Sequence, residues 1–412
     1  MRRGSLSLLL ALSACGRACD RGDFAEPAAP ASTEIAPEAA APAFARARCA
    51  PAAAPVSLQA EVVGDLVVSG DRVYIASIRG GSSAVGVTSA ALGAPEWTPL
   101  GAALGDAPPP ELVGASGGRV YALHWERGDG GGRTLAVTRV APSTERVFSV
   151  REGDVAESMS LDAAFTDAAG LLAWDSAGGV KIALMAPGKP LAPIELPAVG
   201  LASGARVIAR QAGGYWVIWS ERRIDAIADG APRALAGESL ESPGDRRGFE
   251  WLMAAQVGSG GELAAAPRRL TPENGHVGAF DVALGPAAGV DVYALDESDN
   301  FAMERGGRIT RISVDRPPAA PEVLGYGAGR GAPQVASSPG GAQWVFYEDP
   351  LGRTRAVPLS APSRMPSLEP ALDSARPSAL APGSPERWLA SCSSPPAVLQ
   401  LRCAIAPDPP AR

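Results

Sequence analysis

The amino-acid sequence predicts an all-β fold, a β-propeller of seven four-stranded blades, with eight blades as the alternative. Three observations support this prediction. The same strand–turn–strand pattern recurs seven times along the 412 residues. Most spacings between successive copies match one propeller blade, which is about 40–50 residues long. The downstream strand of each copy is almost continuously apolar, which is typical of a strand buried on both faces.

Each of the seven windows pairs an upstream strand with a stronger downstream strand across small, turn-forming residues. One residue of each downstream strand serves as an anchor, and successive anchors are 47, 51, 44, 77, 51 and 44 positions apart. A single blade cannot bury both of its faces, so blades that stack around an axis must bury them against each other. The windows begin at Leu66, Leu112, Ala163, Val207, Val282, Val335 and Ala379, and the anchors are Tyr74, Tyr121, Leu172, Trp216, Tyr293, Trp344 and Trp388.

The interval of 77 residues breaks the repeat. Either blade four carries an insertion around 235–272, or residues 249–256 form the core of a compressed extra blade. We predict seven blades with the insertion. Insertions in repeat proteins often lie on the binding face, so we expect a contact region there. Its candidate residues are Arg246, Arg247, Phe249 and Trp251.

The N-terminus has the pattern of an export signal. Two arginines precede the apolar run 6–12, which is too short to span a bilayer. The run ends in Leu12-Ser13-Ala14-Cys15, which resembles the lipobox of bacterial lipoproteins. That resemblance implies that residues 1–14 are a signal peptide, that cleavage follows it, and that Cys15 carries several acyl chains, which together anchor a protein stably. We therefore expect an exported protein held at a bacterial membrane, with the outer membrane favoured and a periplasmic or surface-facing domain.

Residues 15–48 are dense in Ala, Pro and Glu and have no hydrophobic period, so after Cys15 we predict a disordered tether. The propeller is predicted over 49–412. A chain-end resemblance supports this boundary, because Arg48-Cys49-Ala50 and Arg402-Cys403-Ala404 look alike, as two outer strands of one closing blade would. We expect a disulfide that staples the last blade, either Cys392–Cys403 or one of these two with Cys49.

The residues that usually mark catalysis or metal binding are sparse. The net charge of −7 and the pI near 5.2 argue against a nucleic-acid-binding face. Two histidines and no Cys-x-x-Cys pair argue against a metal site. Residues 114–118 match the G-x-S-x-G nucleophile motif, but a strand pattern follows them where that motif needs a helix, so they are interpreted as a turn.

The sequence therefore predicts a lipid-anchored cell-envelope propeller, without enzyme activity or cofactor, that binds or scaffolds a protein, a glycan or another envelope component. We expect a monomer whose lipid anchor is its contact with the membrane. One alternative is an envelope hydrolase or lyase of glycosidase type, which requires Asp, Glu and Arg side chains converging on the central channel. A second alternative is an assembly lipoprotein of the outer membrane.

Overall fold

The structure is a computed structural model, and it describes most of the chain between residues 47 and 405. The described residues are 47–51, 56–57, 60, 62–70, 72–79, 84–90, 96–102, 109–127, 132–152, 159–177, 179–186, 189–190, 192–223, 249–272, 275–285, 289–298, 306–315, 321–328, 332–337, 343–350, 354–359, 375–380, 387–393 and 396–405. The predicted signal peptide, Cys15 and almost all of the predicted tether lie outside them.

The described residues form seven antiparallel sheets. Two N-terminal strands belong to the last sheet, and the other strands follow in chain order, blade by blade. The N-terminal strands are β1 (Ala47–Pro51) and β2 (Val56–Ser57). Blade one contains β3 (Val62–Ser69), β4 (Arg72–Arg79), β5 (Ala84–Ala90) and β6 (Glu96–Ala102). Blade two contains β7 (Glu111–Ala115), β8 (Arg119–Arg127), β9 (Arg133–Ala141) and β10 (Glu145–Glu152).

Blades three to five continue the same arrangement. Blade three contains β11 (Leu161–Phe165), β12 (Gly170–Ser176), β13 (Gly179–Ala186), β14 (Lys189–Pro190) and β15 (Ile194–Glu195). Blade four contains β16 (Leu201–Ala209), β17 (Tyr215–Arg223), β18 (Phe249–Val257) and β19 (Arg268–Arg269). Blade five contains β20 (Val277–Leu284), β21 (Val290–Asp296), β22 (Gly307–Ser313) and β23 (Glu322–Gly327).

The last two blades complete the ring. Blade six contains β24 (Gln334–Ser337), β25 (Gln343–Glu348) and β26 (Thr354–Pro358). Blade seven contains β27 (Ala375–Leu380), β28 (Arg387–Ser393) and β29 (Pro396–Ile405), and both β1 and β2 pair with β29. The two ends of the domain therefore meet in one sheet.

The first strand of each blade lies on the inside of the ring. The inner strands β3, β7, β11, β16, β20, β24 and β27 contact one another in this order, and β27 contacts β3. The space that they enclose is the central channel. Each of the seven sequence windows is the hairpin between the two innermost strands of one blade. The structure thus confirms the predicted seven-bladed propeller.

The core lies between the blades. Every residue of β12 is buried, which explains the continuous apolar character of the second strands. One hydrophobic cluster joins Trp125 of blade two with Trp174 of blade three, and the rings of Tyr121 and Phe165 stack across the same boundary with centroids 3.9 Å apart. These aromatic side chains hold neighbouring blades together by burying apolar surface.

The predicted insertion has the wrong boundaries. Residues 249–257 are β18, which pairs with β17 along its whole length, from Tyr215 opposite Val257 to Arg223 opposite Phe249. Residues 268–269 are the outer strand β19 of the same sheet. The extra length of blade four is therefore confined to 224–248, between β17 and β18, outside the described residues.

The G-x-S-x-G match is a hairpin turn, as predicted. A 3-10 turn at Ser116–Gly118 joins β7 directly to β8. Gly117 and Gly118 have φ angles of 70° and 73°, in the left-handed region that favours glycine. No helix among the described residues has the length and hydropathy needed to cross a membrane.

Candidate functional site

Five charged residues occupy five successive inner strands. They are Asp65 on β3, Glu111 on β7, Asp162 on β11, Arg206 on β16 and Asp281 on β20. Their charges act on one another across the ring as well as between neighbours: Arg206 in blade four interacts with Asp65 in blade one and with Glu111 in blade two. All five residues lie on the inner strands that enclose the central channel, and we call them the channel cluster.

The Asp162 carboxylate fastens blade three to blade four. One of its oxygens accepts a hydrogen bond from the backbone N–H of Val207 at 2.7 Å, and the other accepts one from Ala163 at 2.7 Å. Val207 is the residue after Arg206 on the next inner strand. Two amide donors thus fix a buried carboxylate by ordinary hydrogen bonds, which makes Asp162 a structural link between blades.

The same link recurs in blades one and five. Asp281 of blade five accepts a hydrogen bond from the backbone N–H of Val335 in blade six at 2.7 Å. Asp65 of blade one accepts a longer one, 3.4 Å, from Leu112 in blade two. The aspartates of blades one, three and five therefore join the inner strands in pairs.

Blade two carries Glu111 at this position and blade four carries Arg206, and these longer side chains do not make the link. The Arg206 guanidinium donates to the Ser160 hydroxyl and to its own neighbour's carbonyl, Ala205 O, both at 3.2 Å. The Glu111 carboxyl makes no hydrogen bond to any residue that the structure describes. Both residues keep part of their surface exposed. Glu111 and Arg206 are therefore the members of the cluster best placed to meet a ligand.

The cluster perturbs the proton affinity of its members. Burial raises the pKa of Asp162 to about 7, although the positive charge of Arg206 and the two amide hydrogen bonds oppose the rise. Burial also raises the pKa of Glu111 well above its usual range, and nearby carboxylates add to the effect. The pKa of Asp281 is raised by burial as well. The fold therefore shifts the protonation equilibrium of these three carboxyls toward the protonated form.

Arg206 supplies the positive charge of the cluster. Burial disfavours its charged form, but the surrounding carboxylates, led by Glu111 and Asp162, outweigh this effect and raise its pKa. The guanidinium therefore remains ionised at every pH at which the protein folds. Four carboxyl groups share this one cation, so the cluster lacks positive charge when its acids ionise.

Of the four residues in the predicted contact region, the structure describes the side chain of Trp251. Arg246 and Arg247 lie outside the described residues, and only the backbone of Phe249 is described. Trp251 is 7% exposed on β18, and the Arg269 guanidinium lies over its ring at 5.1 Å. Contrary to the prediction, Trp251 is a packing residue with a cation–π contact rather than an exposed binding residue.

The backbone register locates the predicted disulfide cysteines. Cys49 in β1 is directly opposite Cys403 in β29. Cys392 in β28 is opposite Ala397 of β29, six positions away from Cys403 along that strand. At about 3.3 Å per residue this separation is roughly 20 Å, too long for the Cys392–Cys403 alternative.

Among the described residues, no group of three His, Cys, Asp or Glu side chains is arranged to hold a metal ion. His124 is buried within β8, with its Nε2 atom 3.6 Å from a carboxylate oxygen of Glu126. It packs inside blade two, on the strand that pairs with the inner strand β7.

Sequence reasoning missed the channel cluster although the sequence carries a signal for it. Each cluster residue is the one immediately before a repeat window. Counted this way, the position before the window is polar in all seven copies. These residues are Asp65, Glu111, Asp162, Arg206, Asp281, Gln334 and Ser378.

Comparisons with known proteins show the fold. No family model matches the chain, and no curated protein sequence matches it. Among solved structures it is similar to hydrazine synthase of Kuenenia stuttgartiensis, with a TM-score of 0.50 and 12% identity over 91% of this chain and 99% of that chain. A GH43_1 enzyme from Xanthomonas citri has a TM-score of 0.36 at 15% identity, covering 61% of this chain and 87% of that one.

A prolyl endopeptidase structure has a TM-score of 0.46 at 15% identity and covers 87% of this chain, which spans less than half, 47%, of that chain. All three similar structures are enzymes. At these identities the likeness to hydrazine synthase shows the fold alone, and no activity is carried over from any of the three.

Proposed function

We propose that this chain is a lipid-anchored protein of the bacterial envelope whose propeller binds a positively charged group of a partner, an ammonium or a guanidinium, at the central channel. The observation that carries the proposal is the composition of the channel cluster. Five successive inner strands carry four carboxyls and one guanidinium, which the carboxyls share.

Electrostatics favours a cation as the ligand. Partly buried carboxylates repel one another and lose hydration, which is why their pKa values are raised. A cation that enters the channel relieves the repulsion because it brings the opposite charge to Glu111 and Asp281. It also compensates these carboxylates for the hydration that they lose on burial. An anionic ligand would instead meet an excess of negative charge around Arg206.

Glu111 separates a binding role from a purely structural one. The aspartates of the cluster are occupied by backbone amides of the next blade. The Glu111 carboxyl accepts no such bond from the described residues, and part of its surface is exposed, so its oxygens can accept hydrogen bonds from a ligand. A ligand that donates hydrogen bonds would satisfy it.

The test uses short charged peptides as probes. Thermal unfolding of the purified chain is followed with trilysine and with triglutamate at pH 7.5. We expect trilysine to raise the unfolding temperature and triglutamate to leave it unchanged. The effect should shrink in Glu111→Gln and persist in Glu195→Gln, an exposed glutamate of β15 that loses the same charge. Equal shifts in the two variants would show binding to the general negative surface instead.

Carboxylate chemistry is a second candidate, because Asp162 and Glu111 have raised pKa values in a water-accessible channel. A protonated carboxyl beside an ionised one is the arrangement that glycoside hydrolysis uses. This candidate predicts hydrolysis of some member of a panel of chromogenic glycosides, with activity lost in Glu111→Gln. Absence of turnover across the panel, with trilysine binding intact, would favour the binding function.

The membrane anchor rests on the lipobox-like tetrapeptide. Cells that express the full chain would be labelled with radioactive palmitate, with Cys15→Ala as the matched variant. The proposal expects label in the protein and none in the variant. Equal labelling would refute acylation at Cys15.

A further inference from the structure

The propeller closes through a short antiparallel pair that contains two cysteines. β1 contributes five residues, Ala47–Pro51, to the edge of blade seven, where they pair with β29. In this register Cys49 is directly opposite Cys403. The neighbouring pairs are Arg48 with Ala404 and Ala50 with Arg402, so the two similar tripeptides run antiparallel to each other.

The register alone brings the two residues to disulfide distance. Residues directly opposite in an antiparallel pair have Cα atoms about 4.5 Å or about 5.5 Å apart, depending on whether the pair is hydrogen-bonded. A disulfide joins Cα atoms about 4.4–6.8 Å apart. Both kinds of pair fall in this range. We propose that Cys49 and Cys403 form a disulfide that closes the propeller ring covalently.

The consequence is a covalent link between the first and last strands of the domain. Five residue pairs hold β1 to β29, and strands at sheet edges and chain ends open most readily. A bridge at the central pair prevents this opening. It also closes a loop that includes nearly the whole propeller, which restricts the unfolded chain strongly.

The oxidation is balanced by an external disulfide. The two thiols lose two protons and two electrons as the S–S bond forms. A disulfide oxidant accepts them: one oxidised glutathione becomes two glutathione thiols by exchange through a mixed disulfide. The reaction therefore needs an oxidising thiol–disulfide environment and no metal or cofactor.

Tryptic mapping tests the pairing directly, because trypsin places the cysteines in separate peptides. The purified full chain would be equilibrated with oxidised and reduced glutathione, alkylated, and digested without reduction. We expect peptide 49–72 to be joined to peptide 403–412, and the Cys392 peptide 388–402 to be alkylated. Alkylated 49–72 and 403–412 in the folded protein, or a link from either to 388–402, would overturn the proposal.

Thermal unfolding gives an independent test. Cys49→Ser, Cys403→Ser and the double variant should all lower the unfolding temperature by the same amount, about 5 °C or more. A reductant should lower the wild-type value equally and leave the variants unchanged, while Cys392→Ser should respond as the wild type does. Additive losses in the two single variants, or a wild type insensitive to reductant, would contradict the bridge.

Discussion

The Asp162 carboxylate in blade three accepts a hydrogen bond of 2.7 Å from the backbone N–H of Val207 in blade four. The Asp281 carboxylate in blade five accepts the equivalent bond from the backbone N–H of Val335 in blade six. A charged side chain on an inner strand thus holds the next inner strand at a fixed position. The position before a repeat window therefore has two roles. The aspartates link one inner strand to the next, and the longer side chains of Glu111 and Arg206 reach the channel.

The structural link can be tested by Asp162→Asn. The amide keeps the shape of the side chain but replaces one acceptor oxygen with an NH₂ donor, so the N–H of Ala163 or of Val207 loses its partner. We expect a loss of about 1–3 kcal/mol in the free energy of unfolding, measured in urea at pH 5, below the raised pKa of Asp162, where removal of its charge adds no compensating gain. Glu195→Gln, the same kind of change at an exposed site, should stay near the wild type. A similar value for both variants would show that the link contributes nothing.

Stability should fall as the pH rises from 5 to 8. The pKa values of Asp162, Glu111 and Asp281 are raised in the folded state, that of Asp162 to about 7. Such groups contribute stability that is fully present below the ordinary carboxyl pKa and is lost as the pH rises through the raised values. Thermal unfolding across this range measures the fall.

Glu126 contributes to stability with the opposite pH dependence, so the predicted fall is measured only above its ordinary pKa. Burial acts to raise its pKa, but the neighbouring His124 side chain and the hydrogen bonds that Arg146 donates outweigh burial and lower it. Its contribution to stability is therefore present above its ordinary pKa and is lost only as the pH falls below that value.

An unfolding temperature that rises steadily from pH 5 to pH 8 would contradict the raised pKa values of the channel cluster.

Glu111→Gln should stabilise the protein at high pH. Glutamine keeps the size of the side chain but removes a charge that burial and neighbouring carboxylates disfavour. The unfolding temperature of the variant should exceed that of the wild type at pH 8, and the difference should shrink at pH 5, because the raised pKa keeps more of the wild-type carboxyl protonated at the lower pH. Destabilisation at both pH values would mean that the ionised carboxylate has a stabilising partner.

Arg206→Met should destabilise in the opposite pH pattern. Removing the guanidinium leaves the carboxyls of the cluster without a counter-charge, which removes up to about 3 kcal/mol of stability at pH 8. The loss should be smaller at pH 5, because the raised pKa values of Glu111, Asp162 and Asp281 leave less negative charge in the cluster there. Arg127→Met, at the exposed end of β8, is the matched control in urea unfolding. A loss that does not change with pH would indicate lost packing rather than lost charge.

The sequence predicts the ring well and the channel poorly. Hairpins such as the one formed by β24 and β25 are recognisable in the sequence. Their second strands are apolar because those strands are buried on both faces. The predicted insertion includes β18 because residues 224–248 separate this strand from β17. The spacing between repeat anchors does not distinguish extra length within a blade from a new element. The channel cluster was missed because Glu111 and Arg206 are far apart in the chain, and their coupling appears only when the ring closes.

Cation binding should release protons, and this is the most direct test of the channel site. Trilysine would be titrated calorimetrically into the protein at pH 7, in phosphate and in Tris, which differ strongly in ionisation enthalpy. Because the cation favours the ionised forms of Glu111 and Asp162, we expect the observed enthalpy to differ between the buffers by an amount that corresponds to proton release. Glu111→Gln should reduce this difference. Identical enthalpies in the two buffers would contradict a ligand site at the channel cluster.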